Sequence, residues 1–283
     1  MSIYASKTAI VTGAGSGIGR ALVLALVKKG ALVAGADINY ETMQETVKMA
    51  QEIAPGCIVE GYEVDVSNSE AVKTLVFGIY EKWGQLDYMF NVAAVAYIKD
   101  ERFIDIPMWD KLISINLMGA VYGSHYAYEV MREKGSGYIV NMSSLSGITP
   151  SLWGTNYSAS KFGINGYTLS LRVEAERFGI RATAVCMSMI KTPMLERAGE
   201  DEIEQELYKR SIGRLPAITA DGLAEKVLKR LPRNRPIMVI DVFTRLLWWA
   251  FRISDSFYEK LLKYAYKKHY LSEKEKIEAE QAL

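Results

Sequence analysis

The sequence predicts an α/β fold in which helices cover both faces of a doubly wound parallel sheet of about seven strands. Short runs rich in β-branched residues alternate with longer helical patterns, and a glycine-rich segment joins the first strand to the first helix. Parallel neighbours need a crossover connection, which is almost always right-handed. Regular strand–helix alternation therefore indicates repeated βαβ units.

The predicted elements follow one another through the first 240 residues. Strands are expected over residues 8–11, 32–36, 58–64, 86–91, 138–142, 181–186 and 236–240. Helices are expected over residues 17–29, 40–53, 69–83, 107–133, 157–178 and 220–231. Residues 187–215 form a long connection, which we interpret as a lid. We expect one domain over residues 1–241 and a helical extension over residues 242–283.

The composition argues against several functional classes. The 34 basic residues nearly balance the 33 acidic ones, so the chain lacks the excess of positive charge that would attract nucleic acid. Two histidines and the two cysteines Cys57 and Cys186 suggest neither a metal site nor a disulfide framework. We see no signal peptide and no apolar run of about 18 residues, and therefore expect a cytoplasmic protein.

The turn after the first strand has the features of a phosphate-binding loop. Residues 12–19 read TGAGSGIG. Glycines let a pyrophosphate approach the backbone, and the following helix N-terminus offers free N–H groups. The pattern predicts a Rossmann-like dinucleotide site formed by Gly13, Ser16, Gly17, Ile18 and Gly19. A glycine-rich structural turn is the alternative, because the strict G-x-G-x-x-G spacing is not met.

Asp37 ends the second strand, 18 residues after Gly19. A carboxylate at this place accepts hydrogen bonds from the adenosine ribose and repels a 2′-phosphate, which favours NAD over NADP. Its neighbours Ala36, Ile38 and Asn39 supply no cation for such a phosphate. The alternative is that Asp37 only caps the next helix.

In combination these motifs resemble the short-chain dehydrogenase/reductase family over about residues 7–194 and the last strand. The resemblance also includes the strand that ends in Ser143-Ser144 and the pattern Tyr157-x-x-x-Lys161. It implies an NAD(P)-dependent oxidoreductase that interconverts an alcohol and a ketone by hydride transfer. The implied catalytic residues are Asn116, Ser144, Tyr157 and Lys161. Ser144 is chosen over Ser143 because it lies 13 residues before Tyr157, the usual interval in the family.

The implied roles agree with simple chemistry. Tyr157 and Lys161 are four residues apart and so share one helix face. A neighbouring ammonium is expected to lower the pKa of the phenol toward neutrality, so that Tyr157 exchanges a proton. By resemblance, Ser144 holds the substrate oxygen and Lys161 also binds the nicotinamide ribose. Asn116 would anchor a water that connects Lys161 with solvent.

The resemblance implies further cofactor contacts and also shows two departures. The implied contacts are Asp65, Val66, Asn91, Tyr157, Lys161, Ile190 and Thr192. Ala94 stands where the family usually has glycine, and Met187-Ser188 stands where it usually has Pro-Gly. These departures leave open a second function, a dinucleotide-binding sensor or scaffold without catalysis.

Large apolar side chains are expected around the reacting centre. They are Leu145, Trp153, Met187, Met189 and Met194. Methionines adapt to irregular apolar shapes. We therefore expect a bulky apolar alcohol or ketone such as a steroid, a lipid or an alicyclic compound, as for a hydroxysteroid dehydrogenase. Ordinary core packing of these side chains is the alternative.

The extension after residue 241 is aromatic and basic. Phe243, Leu246, Leu247 and Ala250 recur at helical spacing. Such a helix could cap the pocket, pack on a partner subunit or lie on a membrane surface. We favour capping or packing over peripheral membrane contact. By resemblance, a homodimer or homotetramer is expected.

Overall fold

The computed structural model describes residues 2–191 and 218–267. Its strands are β1 (Thr8–Thr12), β2 (Leu32–Asp37), β3 (Val59–Glu63), β4 (Tyr88–Asn91), β5 (Gly137–Met142), β6 (Ile180–Cys186), β7 (Ile190–Lys191), β8 (Ile218–Thr219) and β9 (Ile237–Val239). Its helices are α1 (Gly17–Lys28), α2 (Tyr40–Ile53), α3 (Ser69–Trp83), α4 (Ile106–Ile113), α5 (Gly119–Lys134), α6 (Thr155–Ala175), α7 (Ala220–Arg230), α8 (Val242–Ile253) and α9 (Asp255–Ala265).

The main sheet has the predicted seven strands, in the order β3-β2-β1-β4-β5-β6-β9. All neighbouring pairs are parallel. The strand order reverses between β1 and β4, which opens a crevice at the carboxyl ends of the strands. The predicted doubly wound fold is confirmed. A small second sheet pairs β7 with β8.

Side chains alternate between two core layers along the strands, as a buried parallel sheet requires. Ala9 and Val11 pack with α1, α2 and α7 on one face, whereas Ile10 packs with α3 and α5 on the other. In β4, Phe90 faces the first layer and Met89 the second. Apolar helices therefore cover both faces of the sheet.

The long helix predicted over residues 107–133 is interrupted. A π-helical turn, Ser114–Met118, separates α4 from α5 and contains Asn116. Such turns are rare and are found mainly at functional sites. The hydrophobic pattern continues across the turn, so the sequence did not reveal it.

The extension forms two helices that fold back on the domain. The Asp241 carboxylate caps α8 by accepting from the Thr244 backbone N–H at 2.8 Å, and it accepts from the Ser188 N–H at 3.0 Å. Tyr258 in α9 is buried, and its hydroxyl donates to the Pro150 carbonyl at 3.2 Å. Within the described ranges, no helix is long and apolar enough to cross a bilayer.

Asp87 connects the start of β1, the approach to β4 and the end of α5. Its carboxylate accepts from Lys134 Nζ at 2.7 Å, Lys7 Nζ at 3.1 Å and the Thr8 N–H at 2.9 Å. Burial alone would raise the pKa of Asp87, but these hydrogen bonds outweigh burial and lower it. Ionised Asp87 therefore stabilises the folded chain.

We predict that Asp87→Asn lowers the free energy of unfolding by about 2 kcal/mol at neutral pH, because charged hydrogen bonds are lost. The folded-state pKa lies below the unfolded value, so this stabilisation is present above about pH 4 and disappears below it. Urea unfolding of wild type and variant, at neutral pH and again below about pH 4, measures the difference in the free energy of unfolding. Exposed Asp110→Asn is the control. An undiminished difference in acid would contradict the prediction.

Candidate active site

A cavity of about 660 Å³ lies over the carboxyl ends of the strands. Its wall includes residues that follow β1 through β6, so it occupies the crevice at the reversal of strand order. One end is the glycine-rich turn before α1. The other end is closed by α8 and α9.

The glycine-rich turn forms a cradle that side chains would fill. A Cβ on Gly13, where φ is +65°, would lie 2.8 Å from Ala93 Cα. A Cβ on Gly19 would lie 2.0 Å from the Gly13 carbonyl oxygen. The turn leads directly into the N-terminus of α1, whose free N–H groups suit an anion. All five predicted loop residues, Gly13, Ser16, Gly17, Ile18 and Gly19, line the cavity. The cradle fits a dinucleotide pyrophosphate.

Asp37 stands beside this cradle at the end of β2. Its carboxylate accepts from the Gly15 N–H at 2.8 Å and the Asn39 N–H at 3.0 Å. Asn39, not Asp37, caps α2 by accepting from the Thr42 N–H. The helix-capping alternative for Asp37 is therefore wrong. Asp65 and Val66 line the same end of the cavity.

The charges on the wall are few. Among the described lining residues, only Asp37, Asp65 and Lys161 are charged. Arg20 donates to the Gly15 carbonyl of the glycine-rich turn and to Thr46 Oγ1 at 2.9 Å, and it forms an ion pair with Glu45 at 3.0 Å. Arg20 does not line the cavity, so the described lining residues at this end include carboxylates and no cation.

Ser144, Tyr157 and Lys161 meet at the middle of the cavity wall. Ser144 follows β5, Tyr157 lies in the first turn of α6, and Lys161 lies one turn later. Lys161 is 2% exposed, and its ammonium donates to the Met142 carbonyl at 2.9 Å. The same Nζ is 5.5 Å from the centroid of the Tyr157 ring, and Ser144 hydrogen-bonds Tyr157.

Burial controls the protonation of this group. It raises the pKa of Tyr157, an effect that the Ser144 hydrogen bond opposes and that the nearby Cys186 thiol reinforces. Burial lowers the pKa of Lys161 to about 8. The expectation that Lys161 lowers the pKa of the phenol is wrong for the chain without cofactor. The reason is that the ammonium is directed toward Met142 and both groups have lost hydration.

Asn116 is buried in the π-helical turn. Its side-chain amide accepts from the Val95 N–H and donates to the Val95 carbonyl, both at 2.8 Å. The side chain thus holds the loop that follows β4, which forms part of the cavity wall. The water-mediated connection between Asn116 and Lys161 stays a prediction.

Asn91, predicted as a cofactor contact, is not among the residues that line the cavity, and its side chain points into the core. Its amide donates to Asn141 Oδ1 at 2.7 Å and Ser124 Oγ at 3.0 Å inside the core. Asn91 alternates with Phe90 along β4 and therefore faces α5 instead of the cavity. It ties β4 to β5 and α5.

Of the remaining predicted site residues, some line the cavity and others lie outside the described part of the chain. Ile190, in β7, lines the cavity, as do Leu145, Trp153, Met187 and Met189. Thr192 and Met194 lie outside the described residues, together with most of the predicted lid. The structure adds apolar wall residues from the extension, namely Phe243, Leu247, Leu261 and Leu262. Of the three alternatives for the extension, capping of the pocket is the one that the structure shows.

The model of the family described as short chain dehydrogenase matches residues 7–203. The chain belongs to the short-chain dehydrogenase family. Enzymes of this family are oxidoreductases that use NAD(P) and act on small-molecule alcohols and ketones. The resemblance inferred from the motifs is thereby confirmed. The homodimer or homotetramer stays a prediction.

Two relatives of this family align over most of the chain. A levodione reductase from Leifsonia aquatica is 33% identical over 231 residues, covering 77% of this chain and 86% of the relative. The protein SadH of Mycobacterium tuberculosis is 30% identical over 272 residues, covering 93% of this chain and 96% of SadH. The SadH alignment is long enough to include part of the extension.

Solved structures of the family agree with the fold. A levodione reductase crystal structure superposes with a TM-score of 0.77 at 28% identity, covering 84% of this chain and 96% of its own. A Burkholderia phymatum family member in complex with NAD gives a TM-score of 0.82 at 23% identity, covering 90% and 96%. At that identity the second likeness concerns the fold alone.

The two departures from the family pattern both lie on the cavity wall. Ala94 is in the loop after β4, and Met187-Ser188 follows β6. The Ser188 backbone N–H is engaged by the Asp241 carboxylate that caps α8. The second departure is therefore connected to the extension. The pairing of an aspartate after the last strand with this N–H was not visible in the sequence.

Proposed function

We propose that the chain is an NAD-dependent oxidoreductase that interconverts a secondary alcohol and a ketone on a bulky apolar substrate, such as a steroid, a lipid or an alicyclic compound. The observation that carries this proposal is the position of Ser144, Tyr157 and Lys161. They stand where the glycine-lined end of one cavity meets its apolar end.

The residues around the cradle would hold the cofactor. The backbone of Gly13 and the N-terminus of α1 would receive the pyrophosphate, and Asp37 would accept hydrogen bonds from the adenosine ribose. Lys161 would bind the nicotinamide ribose. When bound, NAD supplies the hydride acceptor for alcohol oxidation and, reduced, the donor for ketone reduction.

The proton is the part of the reaction that the chain itself handles. Ser144 donates to the substrate oxygen and holds it beside the Tyr157 hydroxyl. Tyr157 takes the alcohol proton during oxidation and returns it during reduction. The buried Lys161 ammonium would attract the phenolate that forms during turnover, whereas in the chain without cofactor burial dominates the pKa of Tyr157. Asn116 positions the loop behind this group.

The apolar end supports the substrate class. Leu145, Trp153, Met187 and Met189 form its wall, and α8 and α9 cover it. Among the described wall residues, Lys161 is the only cation, and its ammonium already donates to the Met142 carbonyl. A small hydroxy acid would find no second cation among these residues for its carboxylate, whereas an apolar ring system would bury its surface.

We predict that Tyr157→Phe lowers kcat by about 10²-fold or more, because the proton-transfer group is lost. A panel of steroid and alicyclic alcohols with NAD, followed by absorbance of the reduced cofactor, measures the rates. Fluorescence titration with reduced cofactor checks that binding persists. Tyr80→Phe is the control, because Tyr80 packs against the core and does not line the cavity. Equal activity of wild type and Tyr157→Phe would refute the mechanism, and cofactor binding without turnover in wild type would favour a sensor.

We predict opposite pH profiles for the two directions. Oxidation requires the Tyr157–Lys161 pair to have lost a proton, and the lower of the two pKa values is that of Lys161, about 8. Because the two residues share the proton, the pair loses it as the pH passes about 8. Above that pH, kcat/KM for alcohol oxidation rises, since the proton acceptor is available, and kcat/KM for ketone reduction falls, since the proton donor is lost. Initial rates across this range test the prediction. Flat profiles in both directions would contradict it.

We predict that Asp37→Asn reduces the preference for NAD over NADP by about tenfold or more, because the repulsion of the 2′-phosphate is removed. An asparagine oxygen can still accept from the Gly15 N–H, so the loop is retained. The ratio of kcat/KM with the two cofactors is the measurement. Asp65→Asn removes another wall carboxylate and serves as the control. An unchanged ratio would exclude Asp37 as the selective residue.

A further inference from the structure

Helix α8 has an apolar face that nothing in the described chain covers. Its outer stripe consists of Val242, Leu246, Trp249 and Ile253, which recur at spacings of four, three and four and thus share one face. Leu246 is 64%, Trp249 60% and Ile253 78% exposed. A row of large apolar side chains in water marks an interaction surface.

Capping of the pocket does not account for this stripe. Phe243 and Leu247 point inward to the cavity wall, and Trp248 packs beside the buried Ile148 and Cys186. These contacts use the opposite side of α8. The outer stripe adds nothing to them, so its apolar character requires a separate explanation.

Helix α9 repeats the arrangement at the edge of the pocket. Its outer stripe is Phe257, Leu261 and Tyr264, again at spacings of four and three, and all three are exposed. Leu261 also lines the cavity. The apolar outer surface of α9 is therefore continuous with the rim of the pocket.

The charges around the stripes have one predominant sign. Residues 242–267 contain five basic residues and two acidic ones, a net charge of +3. On α8, Arg245 and Arg252 are seven residues apart on one flank of the stripe. Exposed Lys260 on α9 and exposed Lys267, two residues after its end, flank the second stripe in the same way. Long basic side chains beside an apolar face suit the headgroup region of an anionic membrane.

We propose that the outer stripes of α8 and α9 dock this enzyme on an anionic lipid surface, with the apolar residues entering the interface and the flanking arginines and lysines contacting lipid phosphates. The aromatic residues Trp249 and Tyr264 suit the same interface, where one side of a ring is apolar and the other is hydrated. The helices lie on the surface and do not cross it.

A second copy of the chain is the competing occupant, and the charges disfavour it. In a two-fold contact the same patch meets itself, so two patches of net positive charge would be brought together. The two acidic residues in this segment offer little compensation, because Glu259 already forms an ion pair with Lys263 on the same helix. An anionic surface satisfies both the apolar stripes and the basic flanks.

The experiment is flotation of the full-length protein with phosphatidylcholine vesicles that contain roughly one-third phosphatidylserine, or none. We expect wild type to partition about tenfold more into the anionic vesicles, and less at high salt. The double variant Leu246→Ser/Trp249→Ser should partition about tenfold less than wild type into the anionic vesicles. Val173→Ser, an equally exposed apolar residue on α6, should bind like wild type. Unchanged thermal unfolding confirms that the variants fold.

A charge variant provides an independent test. Arg245→Gln/Lys260→Gln should remove the preference for anionic vesicles while leaving the stripes intact. Docking is overturned if wild type does not float, or if both double variants float like wild type. It is also overturned if the serine variant lowers the oligomeric mass of a protein that stays off vesicles, because the face then joins two copies. Vesicle binding needs neither cofactor nor substrate, so its failure is distinguishable from a failure of catalysis.

Discussion

The buried hydrogen bond from the Lys161 ammonium to the Met142 carbonyl, 2.9 Å long, organises the site. It ties α6 to the last residue of β5. Removing a cation from water is costly unless good acceptors receive it, so the bond holds the helix at one register against the strand. That register sets Tyr157, one turn before Lys161, beside Ser144, which follows β5. The serine and the tyrosine belong to neighbouring elements. Hydrogen bonds from Asn141 to Thr168 and from Ser143 to the Lys161 carbonyl support the same alignment.

The rest of the cavity depends on close backbone contacts of the same kind. Gly13 approaches Ala93 so nearly that a Cβ would not fit, which brings the phosphate cradle against the loop after β4. Asn116 holds that loop from the other side through two bonds to Val95. The π-helical turn aims this amide at the loop. The cradle and the reacting centre thereby become one continuous cavity.

Much of the fold and part of the site could be predicted because they depend on local patterns. Strand–helix alternation yields the sheet, and the glycine-rich turn and Tyr157-x-x-x-Lys161 stand on either side of one crevice. Other features depend on three-dimensional surroundings. The direction of the Asn91 side chain follows from the alternation of β4 between two buried faces, both of which are apolar in pattern. The pKa of Tyr157 follows from desolvation, which spacing along a helix does not reveal.

The extension shows most clearly what sequence patterns cannot predict. The sequence suggests one apolar stripe that includes Phe243, Leu246 and Leu247, but the structure divides these residues between two faces. Periodicity cannot separate an inner from an outer face when both are apolar. Burial separates them: the inner residues cover the pocket, whereas Leu246 and Trp249 remain in water. An exposed apolar side chain contributes little to folding, since its surface is not removed from water. No described residue covers the outer stripe, so its physical explanation lies beyond the described part of the chain, in what α8 contacts.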